Sequence, residues 1–548
     1  MSVGGGPRLD PGQRHPGFAR HASQWGEFSV LATDEVVSVE PAHWTLPPGR
    51  PRSDDELLCR LGGVDDVRLV GTGRPALMAG IWPSGPDPGF GGLGANYAVL
   101  FGRDTFTSLR ALRPTYPVTS YPNLLLAVDE IVRHQGRVQD DARNEEPGKL
   151  LHELRDPADP VAREISRVTG CGWPWFAGDD TTGEGVNFIL EEALVDPAIL
   201  ERRVLQPNHR DISYADAVVA GLRWQIAKLD ASGHSLILSH RLHRPAGSTW
   251  MPPVGSAWRD GSDCYLRLDG TLPTRPAVLL EVNAILYRSL RLAAQMSERS
   301  PAFGDLLGWI DLEQIAEDVR AAILDALWVD NGAGGFLGYF AELDEAGQKL
   351  EVVPVLGCGV IDALQSGLLD GAEMQERRIA VLRNLYDPAF GLRAPMGPRT
   401  LGRFSPQYAP SGGNGGVCPH MNDKAADAAE RLGFHQCARL DSRLVLHICE
   451  STGAVPECVK DADTPTIDAV RVRVWRAQPE RHETSAIEPG KPWQLWSLAA
   501  LVGSTARLAR LEHGDLPPTA PEIARLDAEL LEAARSVVPD LPEAMSLA

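Results

Sequence analysis

The chain has 548 residues, 43% hydrophobic and 23% charged, with 53 Lys and Arg against 73 Asp and Glu. This composition excludes wholesale disorder, and a chain of this length can hide roughly 75% of its unfolded surface in a core. The net charge of −20 argues against nucleic-acid and anionic-membrane partners and suits a neutral, polyhydroxylated or cationic ligand.

Residues 1–22, rich in Gly, Pro, Arg and His, read as a flexible N-terminal arm with no signal-peptide apolar stretch. Residues 23–95 read as a small β-rich N-terminal domain. Phe28–Leu31, Glu35–Glu40 and Val67–Val70 carry β-branched or alternating patterns between Pro and Gly clusters. From residue 96 to 548 the texture is that of amphipathic helices joined by long loops. Helices are expected to begin near Tyr121, Asp159, Glu184, Tyr214, Ala277, Asp311, Val360, Met374, Asn422, Cys437, Pro492 and Ile523. Roughly a dozen helices leave ~15–20 residues per loop, well above the 2–8 of a simple bundle. Long loops on a helical scaffold suit a site built at one end. The arithmetic fits a mainly α protein, an (α/α)6 toroid of six helix hairpins. No apolar run approaches the ~20 residues that span a bilayer. The eight cysteines are too sparse for a disulfide scaffold, and none sits at CxxC spacing, so no zinc site is expected. The bland reading is a soluble, cytoplasmic protein.

Four segments could carry chemistry. Phe101-Gly-Arg103-Asp104 sets a guanidinium beside a carboxylate, a pair that can grip vicinal hydroxyls, or simply cap a helix. Gly255–Asp263 holds Trp258, Asp260 and Asp263 in a Gly/Ser-flanked loop. An aromatic floor beside a desolvated carboxyl group is what a sugar site needs, though a turn with capping aspartates fits too. Pro419-His420-Met-Asn422-Asp423 begins a helix and could line a pocket or cap that helix. Pro479–Pro489 presents Glu480, Glu483 and Glu488 before a Trp-rich helix, as a water-activating base or as a solvated acidic loop. A competing pattern pairs Asp179-Asp180…Glu184 with Asn422-Asp423…Glu430, similar to the Mg²⁺ motifs of class I terpene cyclases. Ala426 at the middle ligand position weighs against it.

Together, six ordered segments resemble the glucosidase domain of glycogen-debranching enzymes and related amylo-α-1,6-glucosidase-like glycoside hydrolases of the six-hairpin glycosidase superfamily. They are Phe101-Gly-Arg-Asp104, Gly148-Lys-Leu-Leu-His-Glu-Leu-Arg155, Ser256-Ala-Trp-Arg-Asp260, Glu281-Val-Asn283, Pro419-His-Met-Asn422 and Gln494-Leu-Trp-Ser497. The likeness runs from about residue 95 to 515. Asn283 replaces a Gln and Cys418 a Trp of the family pattern, and Gly391-Leu-Arg-Ala is a loose match to its Gly-x-Arg-Thr.

The resemblance implies an (α/α)6 barrel performing exo-acting, inverting hydrolysis of an α-glucosidic bond in an oligosaccharide or small glucoside. Asp260 would be the acid, with Asp263 its rival. Glu480 would be the base, with Glu483 close behind and Glu488 third. Arg103 and Asp104 would hold the terminal sugar, Trp258 would stack on it, and His420 would line the pocket. Two carboxylates suffice for this chemistry, so no metal or organic cofactor is expected. A phosphorylase on the same fold is the alternative, with phosphate in place of base and water.

Overall fold

The computed structural model describes residues 99–538 except 121–123, 159, 241–256, 260–263, 309, 333, 411, 453–454, 464–469, 475–483, 489–492 and 514–518. Outside that span it describes the strand pieces Glu27–Phe28, Val39–Glu40 and Gly80–Ile81. The expected N-terminal β-rich domain therefore lies almost wholly outside the described residues. Glu27–Phe28 pairs with Val39–Glu40, and Gly80–Ile81 pairs with Trp493–Gln494.

Six helices close a ring. In chain order the described helices are α1 (Gly102–Leu112), α2 (Leu125–Arg133), α3 (Pro160–Thr169), α4 (Thr181–Val195), α5 (Tyr214–Ser232), α6 (Leu280–Arg299) and α7 (Pro301–Leu307). There follow α8 (Leu312–Leu327), α9 (Gly359–Gln365), α10 (Gln375–Tyr386), α11 (Pro419–Arg431), α12 (His435–Thr452), α13 (Leu495–His513) and α14 (Pro521–Arg535). Helix α1 packs on α4, α4 on α6, α6 on α9, α9 on α11, α11 on α13, and α13 back on α1. Around them, α2 packs on α1, α5 on α4, α8 on α6, α10 on α9, and α12 on α11 and α13. The last helix, α14, lies on α10 and α12. This is an (α/α)6 toroid.

The residues explain the two layers. Helix α4 is buried nearly all round, as an inner helix must be. Outer helix α5 begins with a capping box, Ser213 with Asp216, and ends on Gly233 in the left-handed conformation. Asp311 caps α8 by accepting from the Gln314 N–H at 3.0 Å. The inner helices differ: α1, α4, α6, α9 and α11 have no side-chain cap. Close approach explains one inner glycine. A Cβ on Gly183 would stand 2.5 Å from the Ile285 side chain, so α4 and α6 touch there only through glycine.

Each helix expected from the sequence starts within about four residues of its expected position. The periodicity passes over α1 and α7. It also places a helix start at Ala277, where the chain is still a strand: Ala277–Leu279 pairs with Leu238–Ser239 and with Phe336–Leu343. That strand belongs to a five-stranded antiparallel sheet completed by Trp328–Val329 and Leu350–Leu356.

Candidate active site

The inner helices run parallel, because residues near their N-termini meet each other around the ring. Gln494, just before α13, donates to the Asp104 carboxylate of α1 at 3.1 Å. Arg103 of α1 lies 3.4 Å from both oxygens of Asp180, the residue before α4. His420 and Trp496, each the second residue of its helix, stack with centroids 4.3 Å apart. At one end of the ring, then, a set of helix N-termini converges on a polar and aromatic crater.

Three segments build its first side. Leu100–Phe101 pairs with Glu153–Leu154, and Glu153 in turn exchanges hydrogen bonds with Trp175. The Gly102 N–H donates to the His152 carbonyl at 2.8 Å. A Cβ at Gly102 would stand 2.2 Å from the Leu151 carbonyl oxygen, so glycine is needed here for the two segments to lie together. The rings of Phe101, His152 and Trp175 follow one another edge to face, at 5.6 and 5.8 Å. This explains the Lys149–Arg155 motif: it lines up the chain before Arg103 with the chain before Asp180.

The opposite side is an aromatic floor. Trp258 meets His420 edge to face at 5.1 Å, and His420 stacks on Trp496. Nε1 of Trp258, Nε1 of Trp496, Nδ1 of His420 and Oγ of Ser497 are buried with no hydrogen-bond partner among the described residues. Such groups in a cleft are the kind that hydroxyls of a ligand satisfy. Burial, with Lys424 and Arg103 nearby, holds the His420 imidazole well below its usual range, so it is neutral at pH 7. Beside the floor, Glu281 at the start of α6 is buried and accepts a hydrogen bond from the Tyr265 hydroxyl. Burial raises its pKa.

Beneath the floor runs a cavity of about 140 Å³, reaching from His420 and Trp496 to Arg113 and Arg288. Its walls are cross-linked charges. Lys424 of α11 lies 2.9 Å from Asp362 of α9 and 3.5 Å from Glu184 of α4. Arg110 contacts Glu184 at 2.6 Å and Glu191 at 3.3 Å. Arg507 contacts Asp423 at 2.6 Å.

Of the residues singled out from sequence, the structure brings together Arg103, Asp104, Trp258 and His420. The capping readings do not hold for two of them. Asp104 is inside the first turn of α1 and its carboxylate accepts from Gln494, and α11 begins at Pro419 after Cys418, with no side-chain cap. Asp260, Asp263, Glu480 and Glu483 lie outside the described residues. Glu488 falls in the strand Thr484–Glu488, paired with Val470–Val474, rather than in a loop at the helix start. Sequence reasoning does not single out Asp180, Glu281, Gln494 or Trp496 for sugar binding. Asp180 stands only in the metal pattern, and the other three only as letters of a motif. That metal pattern meets cations instead. Asp179 lies 3.5 Å from Lys149, Asp180 faces Arg103, Glu184 faces Arg110, and Asp423 faces Arg507. Among the described residues no group of three His, Cys, Asp or Glu side chains could hold a metal ion. None of the described helices is long and apolar enough to cross a membrane.

Two of the three departures from the resembled pattern have local explanations. Asn283 faces away from the crater: it bonds the Ile237 N–H and carbonyl at 2.8 and 3.1 Å and the Leu279 carbonyl at 3.0 Å. Cys418 pairs with Cys458 in a disulfide, beside the mutual backbone bonds of Val417 and Val459. The spacing of 40 residues gives no hint of this pair.

No family model matches the sequence, and no curated protein matches it significantly. Among solved structures, the chain is similar to a GH63 mannosylglycerate hydrolase from Thermus thermophilus in complex with glucose. Identity is 15% and the TM-score 0.47, over 78% of this chain and 96% of that one. It is also similar to a bacterial glucoamylase complexed with acarbose, at 12% identity and a TM-score of 0.45, over 84% of this chain and 55% of that one. An uncharacterized conserved protein, also from Thermus thermophilus, gives 14% and 0.46, over 78% and 96%. The toroid itself follows from the helix packing described above, independently of these likenesses.

Proposed function

We propose that the protein is an exo-acting, inverting glycoside hydrolase that cleaves an α-glucosidic bond of an oligosaccharide or small glucoside. The observation that carries this reading is the crater. Arg103, Asp180, Asp104 and Gln494 form a buried donor–acceptor set facing an aromatic floor of Trp258, His420 and Trp496. Such a set suits a terminal sugar. Guanidinium, carboxylate and amide groups match its hydroxyls in fixed positions, and the rings match its C–H face. Because His420 is neutral, it offers the sugar a hydrogen bond without a charge.

In this reading Asp260, the residue after Arg259, protonates the glycosidic oxygen. Glu480, or Glu483, activates water from the other face across a carboxyl separation of about 6.5–9.5 Å. The sugar's terminal hydroxyls bind Arg103 and Asp180, with Asp104 held by Gln494. A ring gripped at its end in this way supports exo action. The resemblance to amylo-α-1,6-glucosidase-like enzymes supports a glucoside substrate and an enzyme of the cytoplasm.

The test is a panel of α- and β-linked glucosides incubated with wild type and Asp260→Asn, with the product anomer followed by NMR. The reading expects release of β-glucose from α-glucosides, no dependence on phosphate, and a loss of about 10²–10⁴-fold in Asp260→Asn. Sugar phosphate formed only with phosphate present would make it a phosphorylase.

A further inference from the structure

We propose that Glu281 is a positioning residue for leaving-group protonation: acting through Tyr265, it fixes Arg259 and Trp258, the two residues that precede Asp260, beside the His420–Trp496 floor. The inference rests on the assignment of Asp260 as the acid and adds the device that holds it.

Arg259 stands between the two functional neighbours in sequence and is itself fully buried. Its Nη2 donates to the Cys264 carbonyl at 2.8 Å and its Nε donates to the Gly413 carbonyl at 3.1 Å. The Arg259–Cys264 bond ties together the two ends of the segment whose sequence contains Asp260 and Asp263. The Gly413 bond ties it to the loop that leads into α11 and His420. The guanidinium also lies 5.3 and 5.4 Å from the ring centroids of Tyr265 and Tyr339, which stack at 5.9 Å. The Tyr339 hydroxyl donates to the Leu266 carbonyl. The contacts that locate this segment therefore converge on one buried cation and two tyrosines.

A buried cation needs a counter-charge, and among the described residues Glu281 is a carboxyl group whose charge acts on Arg259. It reaches the cluster through the Tyr265 hydroxyl, which donates to its Oε1. On the far side α9 packs close to its Oε2, leaving little room: a Cβ on Gly359 would stand 3.0 Å from it. An inner-ring carboxyl is thus linked by one tyrosine to the guanidinium adjoining the acid. Such a carboxyl has no reason to touch the sugar. Its effect is on where the acid's proton arrives, and misplacement by about 1 Å can cost about 10²-fold in rate.

Leaving-group dependence separates this role from a structural one. Maltose needs its departing oxygen protonated, whereas fluoride departs from α-D-glucosyl fluoride with far less help. Wild type, Glu281→Gln, Tyr265→Phe, the double variant and Asp260→Asn are compared on both substrates, with melting temperatures recorded. We expect Glu281→Gln and Tyr265→Phe to lose about 10²-fold in kcat on maltose and to stay within about threefold on the fluoride. The double variant should be no worse than the poorer single one, because both changes cut the same link. Equal losses on the two substrates, or no loss on maltose, would overturn the inference. If Glu281→Gln does not fold, Tyr265→Phe, which keeps the carboxyl group, decides by the same criterion. Asp260→Asn with full maltose activity would instead refute the acid assignment. Wild type inert on the fluoride and on every member of the glucoside panel would refute the hydrolase reading and this inference with it.

Discussion

Replacing Lys424 by Met tests whether the barrel's interior is held by charge. Lys424 lies 2.9 Å from Asp362 and 3.5 Å from Glu184, between inner helices, with both carboxylates buried and the lysine nearly so. Methionine keeps the length of the side chain and removes the cation. Two carboxylates from different helices are then left facing each other. Breaking a buried pair in this way costs about 3–5 kcal/mol. With about 2.1 cal/mol/K of unfolding entropy per residue, 548 residues give about 1.2 kcal/mol/K, so the melting temperature should drop by about 3–4 °C. The pH dependence carries the sign. Burial already raises the Asp362 carboxyl even against Lys424. Without the cation it rises further above its unfolded value, and the added cost is lost as pH falls and the group takes up a proton. The deficit, measured by differential scanning calorimetry, should therefore shrink between about pH 7 and pH 5. Lys424→Met/Asp362→Asn should recover at least half of it. A variant within about 1 °C of wild type at neutral pH, or a deficit that grows on acidification, would refute this account of the lumen.

Arg103→Ala should raise KM and lower kcat together, with kcat/KM down about 10–150-fold on any substrate turned over, the worth of one charge-assisted hydrogen bond. A lower melting temperature with unchanged kinetics would make Arg103 a structural partner of Asp180 only. His420 is neutral in the folded state and titrates near 6.5 when unfolded, so the unfolded chain binds the extra proton as pH falls below that value. Wild type should therefore lose stability from this source as pH falls below about 6.5, and His420→Phe, which keeps the stack on Trp496, should lack that slope. Parallel stability–pH curves for the two proteins would show that the imidazole is not desolvated.

The helices were legible because outer helices such as α5 carry their own start and stop, Ser213 with Asp216 and then Gly233. Helix α1 was not, because three of the residues in its first turn, Gly102, Asp104 and Thr105, are weak helix formers, and it begins with no side-chain cap. Ala277–Leu279 reads as helix because its apolar run continues into α6 without a break, and periodicity cannot locate the change from strand to helix. The crater was half legible. Arg103, Asp104, Trp258 and His420 stand within three residues of Gly or Pro, where a functional residue is conspicuous. Glu281 begins a buried helix and Trp496 an apolar one, where each passes for packing. What brings Glu281 to Arg259 is a tyrosine hydroxyl, and what brings Trp496 to His420 is the closure of the ring between α11 and α13. Neither contact is local in sequence.

The same closure accounts for the distribution of charge. Parallel helices add their dipoles, placing partial positive charge at the crater and partial negative charge at the far end. The carboxylates answer at the first turns: Asp104 in α1, Glu184 in α4, Glu281 in α6 and Asp362 in α9. The cations answer toward the C-terminal ends, with Arg110 in the last turn of α1, Arg299 in that of α6 and Arg431 in that of α11. A crater left with bare helix N-termini would draw anions. This one has its own buried carboxylates against those termini and a neutral imidazole on its floor. The hydrogen-bonding capacity and aromatic surface that such a crater offers fit the uncharged, polyhydroxylated substrate proposed above.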